Sequence, residues 1–428
     1  MTPTFKLAAV GLALLAATSS WALGQDAPPS PAPSPAPQAA PAVEGAPAVP
    51  PTEPNQASVA LQQAKDAFKK GAWQEALDAA LKVLAAQPKD LEALYIAGAS
   101  ERQTNRLAEA AGHLKTLVET SPSFPLAHFQ LAYVLFLQAE QLTREAQVPA
   151  ANAKYVEAAG EFGKELERTP THAASLSSRA IALSRAGRSE ESVQAHEAWI
   201  ASAPQKNDPV VSLAATYAGA GRASDAMAAL DRLPDKTPKA VFDATLAAAN
   251  VFISRRDWGA AVPFLEKAVE TDPTSTRARS LLVECCARAG LANDAVRNLQ
   301  TFLTMDPTPD EAESVGEAIK SAMGDGKSAP SIPGVEPPAA LRIPSPRYPK
   351  GQEMSSVQTE VLVLALVRQD GTVVNTVMVP NRIWKDIHSS GFDVAAFDAV
   401  KKGKFVAGTK GGTPAELWTV VSVKFAKT

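Results

Sequence analysis

The chain has 428 residues, of which 46% are hydrophobic and 20% are charged, and its formal net charge is −3. This composition excludes a chain that is disordered throughout, and the near-neutral charge excludes a general attraction to nucleic acid or anionic membranes. The length leaves room for two or three domains. The charge is uneven, since Leu341–Thr428 carries 12 Lys and Arg residues against 7 Asp and Glu residues.

Residues 1–24 have the pattern of a secretory signal peptide. A single Lys6 precedes the eleven apolar residues Leu7–Ala17, a length that suits a signal peptide better than a spanning helix of about 20 residues. Small residues at Ala22 and Gly24 favour cleavage after Gly24. We expect a cleaved signal and a periplasmic protein. The alternative is an uncleaved anchor in the inner membrane that leaves the rest of the chain facing the periplasm.

Two segments have the composition of linkers. Residues 25–55 are rich in Pro and Ala, with 11 prolines in Asp26–Asn55, and such a segment cannot bury a core. A shorter Pro, Gly and Ser segment covers 324–340. It separates residues 56–323 from the C-terminal region 341–428, and we expect these two regions to fold independently of each other.

A repeat of about 34 residues fills the region between the linkers. Prolines recur at Pro88, Pro122, Pro170, Pro204, Pro238, Pro273 and Pro307. A small residue stands twelve positions before each proline, at Ala76, Ala110, Ala158, Ser192, Ala226, Ala261 and Ala295. A turn residue stands five positions before most of these, at Gly71, Asn105, Gly187, Gly221 and Gly290. Small residues allow two helices to cross closely, and proline ends a helix. The pattern predicts about seven antiparallel helix pairs.

This period, with its regularly spaced proline, small and turn residues, resembles the tetratricopeptide repeat. The third unit is 14 residues longer than the others, with the excess around Gln138–Asn152, where a longer helix and a protruding loop both fit. Residues Thr308–Met323 are expected to form a capping helix.

The resemblance implies a concave face, lined by the first helix of each pair, that binds extended peptides. The residues at those positions are Lys65, Phe68, Tyr95, Arg102, Phe129, Tyr133 and Phe136. The Asn and Lys pattern that clamps a C-terminal carboxylate is absent, so an apolar or aromatic peptide is favoured over an acidic one. The alternative is that the aromatic residues only pack between helices.

The C-terminal region has the pattern strand, turn, strand, helix, strand. Asp370-Gly371 separates two apolar runs and predicts a two-residue hairpin turn in which both residues have positive φ. Asp393 is expected to cap the following helix, with Phe392 packed on Phe397. In the closing run Glu416–Phe425, apolar residues alternate along one face.

This order resembles the C-terminal domain of TonB-family proteins. The resemblance rests on the segments Ser345–Pro349, Val367–Val373, Ser389–Phe405 and Gly411–Phe425. It implies that an extended partner segment adds to the free edge of the last strand. The candidate residues there are Trp418, Val421 and Val423.

The sequence contains no sign of catalysis or of a bound cofactor or metal. The five histidines lack ligand spacing, and no nucleophile elbow, phosphate-binding loop or dinucleotide fingerprint is present. Cys285 and Cys286 are neighbours on a predicted helix, where buried small side chains are the expected role.

The sequence therefore predicts a mainly α protein, a tetratricopeptide α-solenoid followed by a small α+β TonB-like domain. The expected function is a non-enzymatic periplasmic scaffold that binds proteins or extended peptide segments, with outer-membrane receptors and envelope components as candidates. It would not bind nucleic acid, and it would contact a membrane only through a retained N-terminus. The alternative is an inner-membrane-anchored, TonB-type energy transducer for outer-membrane transport.

Overall fold

The computed structural model describes residues 54–323, 334–350 and 359–425, which contain seventeen helices and eight strands. The expected signal peptide and nearly all of the first linker lie outside the described residues. The chain divides into two compact units, Met1–Thr216 and Tyr217–Thr428.

The first unit consists of successive helices connected by short turns. Their bounds are α1 Pro54–Lys69, α2 Trp73–Ala86, α3 Leu91–Gln103, α4 Leu107–Thr120, α5 Ala127–Arg144, α6 Val148–Arg168, α7 Ala173–Arg185 and α8 Ser189–Ser202. Helix α9, Asp208–Gly219, crosses the division between the units. Consecutive helices pack as antiparallel pairs, and each pair also packs on the next.

The second unit continues the helical pattern before it changes to β-structure. Its helices here are α10 Ala223–Leu230, α11 Pro238–Ser254, α12 Trp258–Thr271, α13 Thr276–Arg288, α14 Ala292–Thr304 and α15 Pro309–Met323. The described residues up to Met323 thus contain fifteen helices, the number that seven pairs and one further helix require. Pro238 differs from the expectation, because α10 ends early and this proline is the first residue of α11.

The small residues and the turn residues of the repeat have the structural positions predicted for them. All seven small residues twelve positions before the prolines are completely buried, as expected of residues at helix crossings. All five predicted turn residues have positive φ. In the other two pairs Ala146 and Arg256 take this conformation, at φ 59 and 60. No side-chain pattern identifies them, because neither residue type favours positive φ.

The additional residues of the third unit lengthen its helices. Helices α5 and α6 have 18 and 21 residues, whereas α3 and α4 have 13 and 14. The added turns bury Ala139, Ala151 and Tyr155 in a core that they share with α7 and α8. The Tyr155 hydroxyl donates to Glu140 Oε1 at 2.5 Å. A longer helix pair, not a loop, accounts for the insertion.

The C-terminal region contains three small sheets and two helices. Their bounds are β1 Val335–Glu336, β2 Ala339–Arg342, β3 Thr359–Val367, β4 Val373–Met378, α16 Trp384–Ser389, α17 Phe392–Lys401, β5 Lys404–Val406, β6 Gly408–Lys410, β7 Thr413–Ala415 and β8 Leu417–Phe425. The central sheet has the antiparallel order β4-β3-β8, and the others have the orders β1-β6-β7 and β2-β5. Strands β1 and β2 begin inside the segment predicted to be a linker, so that prediction is wrong for 335–340.

The two faces of the central sheet are both buried. One face carries Val421, Val423 and Phe425, which pack with α17 as predicted. On the other face Leu364 and Val420 are also buried, and Trp418 donates from Nε1 to Asn293 Oδ1 of α14 at 2.9 Å. Helix α15 also packs against β8. The last helices of the repeat therefore cover a face that a separate domain would expose.

Further contacts tie α15 and the turn before it to the segment after β4. A Cβ atom on Gly316 would lie 1.9 Å from the carbonyl oxygen of Pro380. Arg382 forms ion pairs with Asp310 at 2.6 Å and Glu313 at 2.9 Å. The expectation that the C-terminal region makes few contacts with the repeat is therefore wrong. Helix α15 is a buried joint between the repeat and the sheet, not a cap with a polar outer face.

The β3–β4 turn differs from the predicted two-residue hairpin. Of its two central residues only Gly371 has positive φ, at 80°. Asp370 instead accepts hydrogen bonds through Oδ1 from the backbone N–H of Thr372 at 2.9 Å and from its hydroxyl at 2.6 Å. The Arg368 N–H donates to the Thr372 carbonyl. The loop is therefore longer, and the Asp side chain stabilises it.

The start of α17 also differs from the prediction. Gly391, at φ 73, precedes the first helical residue, Phe392. Asp393 lies inside the first turn, where its Oδ2 atom bonds His388 Nδ1 at 2.6 Å. The ring of Phe392 packs edge-on against Phe425. The stretch covers the sheet as expected, but its cap and aromatic contact involve other residues.

A buried histidine makes the first unit sensitive to acid. His196 on α8 is fully buried. Its Nδ1–H donates to the Ser192 carbonyl and its Nε2 accepts from the Ser212 hydroxyl, both at 2.8 Å. Burial lowers the pKa of His196 to about 4. The imidazole is thus neutral in the folded protein at pH values where an exposed histidine is charged.

We expect His196 to destabilise the protein progressively as the pH falls from about 6.5 to about 4. In this window the unfolded chain binds a proton that the folded chain does not, so the free energy of unfolding falls by at most about 1.4 kcal/mol per pH unit. Urea unfolding of wild type and His196→Gln at pH 7.5 and 4.5 measures the effect. The advantage of the wild type should shrink at pH 4.5.

His113→Gln provides a control of opposite sign. The hydrogen bond to Glu101 raises the pKa of His113, so its stabilising contribution is present at acidic pH and is lost as the pH rises through the folded pKa. If the free energy of unfolding of the wild type exceeds that of His196→Gln by the same amount at both pH values, the lowered pKa of His196 is contradicted.

Candidate functional site

Partly exposed aromatic side chains lie on the first helices of the first three pairs. We name Phe68, Tyr95, Phe129, Tyr133 and Phe136 the aromatic row. Each is half-buried, and each packs with part of its surface on the core beneath. The rings therefore contribute to packing between helices and also remain partly accessible, and their role in binding stays a prediction.

Ring contacts connect the members within each half of the row. Phe68 and Tyr95 have ring centroids 6.1 Å apart, Phe129 and Tyr133 stack at 6.1 Å, and Tyr133 and Phe136 stack at 6.5 Å. The last three lie on one face of α5 because their spacing is four and three residues. Rings held in this way lose little side-chain entropy when a ligand binds.

Sequence reasoning missed two rings of this surface. Trp73 lies 5.3 Å from Phe68, and Phe124 lies 5.6 Å from Tyr95, centroid to centroid. Trp73 is the first residue of α2, and Phe124 lies in the turn between α4 and α5. The repeat pattern assigns groove positions only to the first helices, so it gives no signal for residues at these places.

Polar groups join the two halves of the row. The Arg102 guanidinium lies 5.3 Å from the centroid of the Tyr133 ring, and Gln130 Nε2 donates to the Tyr95 hydroxyl at 3.3 Å. Burial lowers the pKa of Arg102 and raises the pKa of Tyr95. The raised pKa keeps the Tyr95 hydroxyl neutral at physiological pH.

Some buried polar atoms of this region have no hydrogen-bond partner among the described residues. They are Ser100 Oγ, Arg102 Nε, Gln130 Oε1 and Glu165 Oε2. A buried polar atom without a partner destabilises a protein by about 1–3 kcal/mol, and such atoms are typical of sites that bind a ligand or water. The set includes both donors and acceptors.

The remaining candidates have other roles. Lys65 forms an ion pair with Glu92 at 2.5 Å at the end of the row. The side chains of Trp418, Val421 and Val423 are buried inside the second unit. Among the described residues β8 pairs with β3 alone, so a partner segment at this edge would bind main-chain atoms and not these side chains.

Other kinds of site have little support in the described residues. No group of three or more His, Cys, Asp or Glu side chains there is arranged to hold a metal ion. Cys285 and Cys286 are buried, and burial raises the pKa of their thiols to about 12 and about 11, so neither is a reactive thiolate. In the same part of the chain no helix is long and apolar enough to cross a membrane.

Comparison with known proteins identifies the repeat. The family described as "Tetratricopeptide repeat" matches residues 61–125 and, in a second form, residues 252–314. The chain therefore contains tetratricopeptide repeats near both ends of its helical region. No curated protein matches the sequence.

Several solved structures are similar to parts of the chain. A crystal structure of the MamA protein is 17% identical, over 42% of this chain and 90% of that one, with a TM-score of 0.36. MamA from Desulfovibrio magneticus is 14% identical, over 42% and 93%, with a TM-score of 0.36. A tetratricopeptide repeat protein from Parabacteroides merdae is 13% identical, over 62% and 98%, with a TM-score of 0.37. Scores this low carry no argument about function.

Proposed function

We propose that the protein is a non-enzymatic scaffold that binds an extended peptide segment of a partner protein along the aromatic row. Tetratricopeptide repeats bind protein partners or peptides, and the first repeat match covers Phe68 and Tyr95. The observation that carries the proposal is the half-buried row itself, joined through Arg102 and bordered by unpartnered polar atoms.

The chemistry of the row favours an apolar or aromatic peptide. Aromatic faces gain dispersion and edge-to-face contacts with apolar side chains. Arg102 is partly exposed beside Tyr133, and an arginine guanidinium donates to peptide carbonyls. An extended backbone presents carbonyl groups at regular intervals, so one peptide can accept from Arg102 while its side chains pack on the rings.

The location and the type of the C-terminal domain are further parts of the proposal. The apolar run Leu7–Ala17 supports export to the periplasm, and the strand and helix order of the C-terminal region supports a TonB-like module. An anchored, energy-transducing protein is the alternative. Measuring the mass of the mature protein distinguishes the two, because cleavage after Gly24 removes the candidate anchor Leu7–Ala17.

We expect the intact protein to select apolar and aromatic sequences from a library of random peptides. Enriched peptides would be synthesised, and their affinity measured by fluorescence anisotropy. Arg102→Ala and Tyr133→Ala should each weaken binding roughly 30-fold, the effect of losing about 2 kcal/mol at an interface hot spot.

Arg222→Ala is the matched control, because its guanidinium also lies over a tyrosine ring, 4.7 Å from the centroid of Tyr217, in the second unit. This variant should bind with the affinity of the wild type. Equal losses in Arg222→Ala and Arg102→Ala, or no loss in either, would place recognition elsewhere.

A further inference from the structure

A two-stranded ribbon formed by β2 and β5 has an unusual outer face. Ala339 pairs with Val406, Ala340 with Phe405 and Arg342 with Lys404. Phe405 is buried in the core, and side chains alternate along a strand, so Lys404 and Val406 lie on the outer face. The register shift before Arg342 leaves Leu341 as an additional residue in β2.

The outer face is apolar at one end and cationic at the other. Leu341 and Val406 are 68% and 51% exposed, which is high for large apolar side chains in strands. Arg342 lies directly opposite Lys404, and like charges at such positions destabilise a sheet. Neither residue forms an ion pair with a carboxylate among the described residues.

Two further lysines increase the positive charge. Lys401 and Lys402 are exposed at the C-terminal end of α17, immediately before β5. The helix dipole accounts for cations at this position. It does not account for Arg342 facing Lys404. An anionic partner would relieve that repulsion.

The ribbon also has an open backbone edge. Strand β2 pairs with β5 alone within the described part of the chain, and all four of its residues are exposed. Its outer N–H and C=O groups are therefore available to another strand. A lipid surface would satisfy the charge and the exposed Leu341, but it would leave these main-chain groups unused.

We infer that the β2–β5 ribbon binds an extended, acidic segment of a partner protein, which adds as a strand beside β2. Residues two positions apart in a strand share a face, as Lys404 and Val406 do. The partner segment is thus expected to alternate an acidic and an apolar residue at every second position, with its carboxylates near Arg342 and Lys404. This site is separate from the aromatic row, which favours peptides without acidic residues.

The test uses the full-length protein and a labelled peptide, Glu-Thr-Val-Thr-Glu-Thr-Val-Thr. A second peptide with the same side chains is N-methylated at every residue, so that neither of its edges can form a complete strand ladder. Binding is measured by fluorescence anisotropy at low and at physiological salt. The double variant Arg342→Gln/Lys404→Gln is compared with Lys82→Gln/Lys89→Gln, which removes the same charge from exposed lysines of the first unit.

We expect the first peptide to bind with a salt-dependent affinity that falls about tenfold or more in the ribbon variant and is unchanged in the control. The N-methylated peptide should not bind. Hydrogen exchange should slow at residues 339–342 when the first peptide is present. Equal melting temperatures of the two double variants would show that the fold is intact.

Three outcomes would overturn the inference. The first is equal peptide affinity in wild type and the ribbon variant. The second is equal affinity for the two peptides, which would leave charge as the only basis of binding. The third is co-sedimentation with phosphatidylglycerol vesicles that is lost in the ribbon variant, without peptide binding, which would assign the surface to lipid headgroups. Arg102→Ala changes only the aromatic row. Its effect on peptide binding there would leave binding of the acidic peptide at the β2–β5 ribbon unchanged.

Discussion

A chain that ends at Met323 is expected to lose stability and to self-associate. Its last helices would expose apolar side chains that pack with the core of the C-terminal region, namely Ala312 and the partly buried Leu303. Each CH2 group returned to water costs about 0.8 kcal/mol, and the contacts of Arg382 and Trp418 with the repeat are lost as well. At about 2–4 °C per kcal/mol for a unit of this size, we expect the melting temperature of the second unit to fall by roughly 10 °C.

Thermal unfolding followed by circular dichroism and sedimentation velocity would measure the two effects. The control keeps both parts present and removes only their covalent connection, through a protease site inserted between residues 324 and 333. After cleavage the two fragments should remain together on gel filtration. If they separate and each melts cooperatively as a monomer, the contacts of α15 do not hold the second unit together.

We expect Gly316→Ala to weaken the same joint with a single methyl group. The new Cβ would lie 1.9 Å from the Pro380 carbonyl oxygen, and a backbone atom cannot move aside as a flexible side chain can. Overpacking of this kind destabilises a protein by about 1–3 kcal/mol or more. The loss should exceed the gain of about 1 kcal/mol that Ala normally brings to a helix interior.

Gly160→Ala is the matched control, because Gly160 lies inside α6 and a Cβ there would meet nothing within 4 Å. It should stabilise the protein slightly. Chemical unfolding of both variants checks the opposite signs. A Gly316→Ala protein as stable as Gly160→Ala would show that α15 and Pro380 are not in close contact.

The repeat could be predicted because its determinants are local. A small residue at each helix crossing and a Gly or Asn at each turn follow from the geometry of one helix pair, so the same residue types recur at a fixed spacing. The turn at Arg256 could not be predicted, since arginine at positive φ is imposed by the helices on either side.

The joint could not be predicted because it depends on residues distant in sequence. Gly316 is one glycine inside a helical pattern, and its close approach to Pro380 becomes visible only when both segments are folded. Strand β2 lies in a Pro-rich stretch whose composition is typical of a linker, and it becomes a strand by pairing with β5. The aromatic row was found in sequence because its members share helix faces, whereas Trp73 and Phe124 join it from outside those helices.

The burial of α15 affects the order in which the second unit can come apart. A linear array of repeats holds each helix pair mainly through its neighbours, so it normally frays from its ends. Here the final helix is held by the sheet as well as by α13. Unravelling that starts at the C-terminal side, as under a pulling force or a processive protease, must first dismantle the sheet. The last repeat is thereby protected by residues that follow it in the chain.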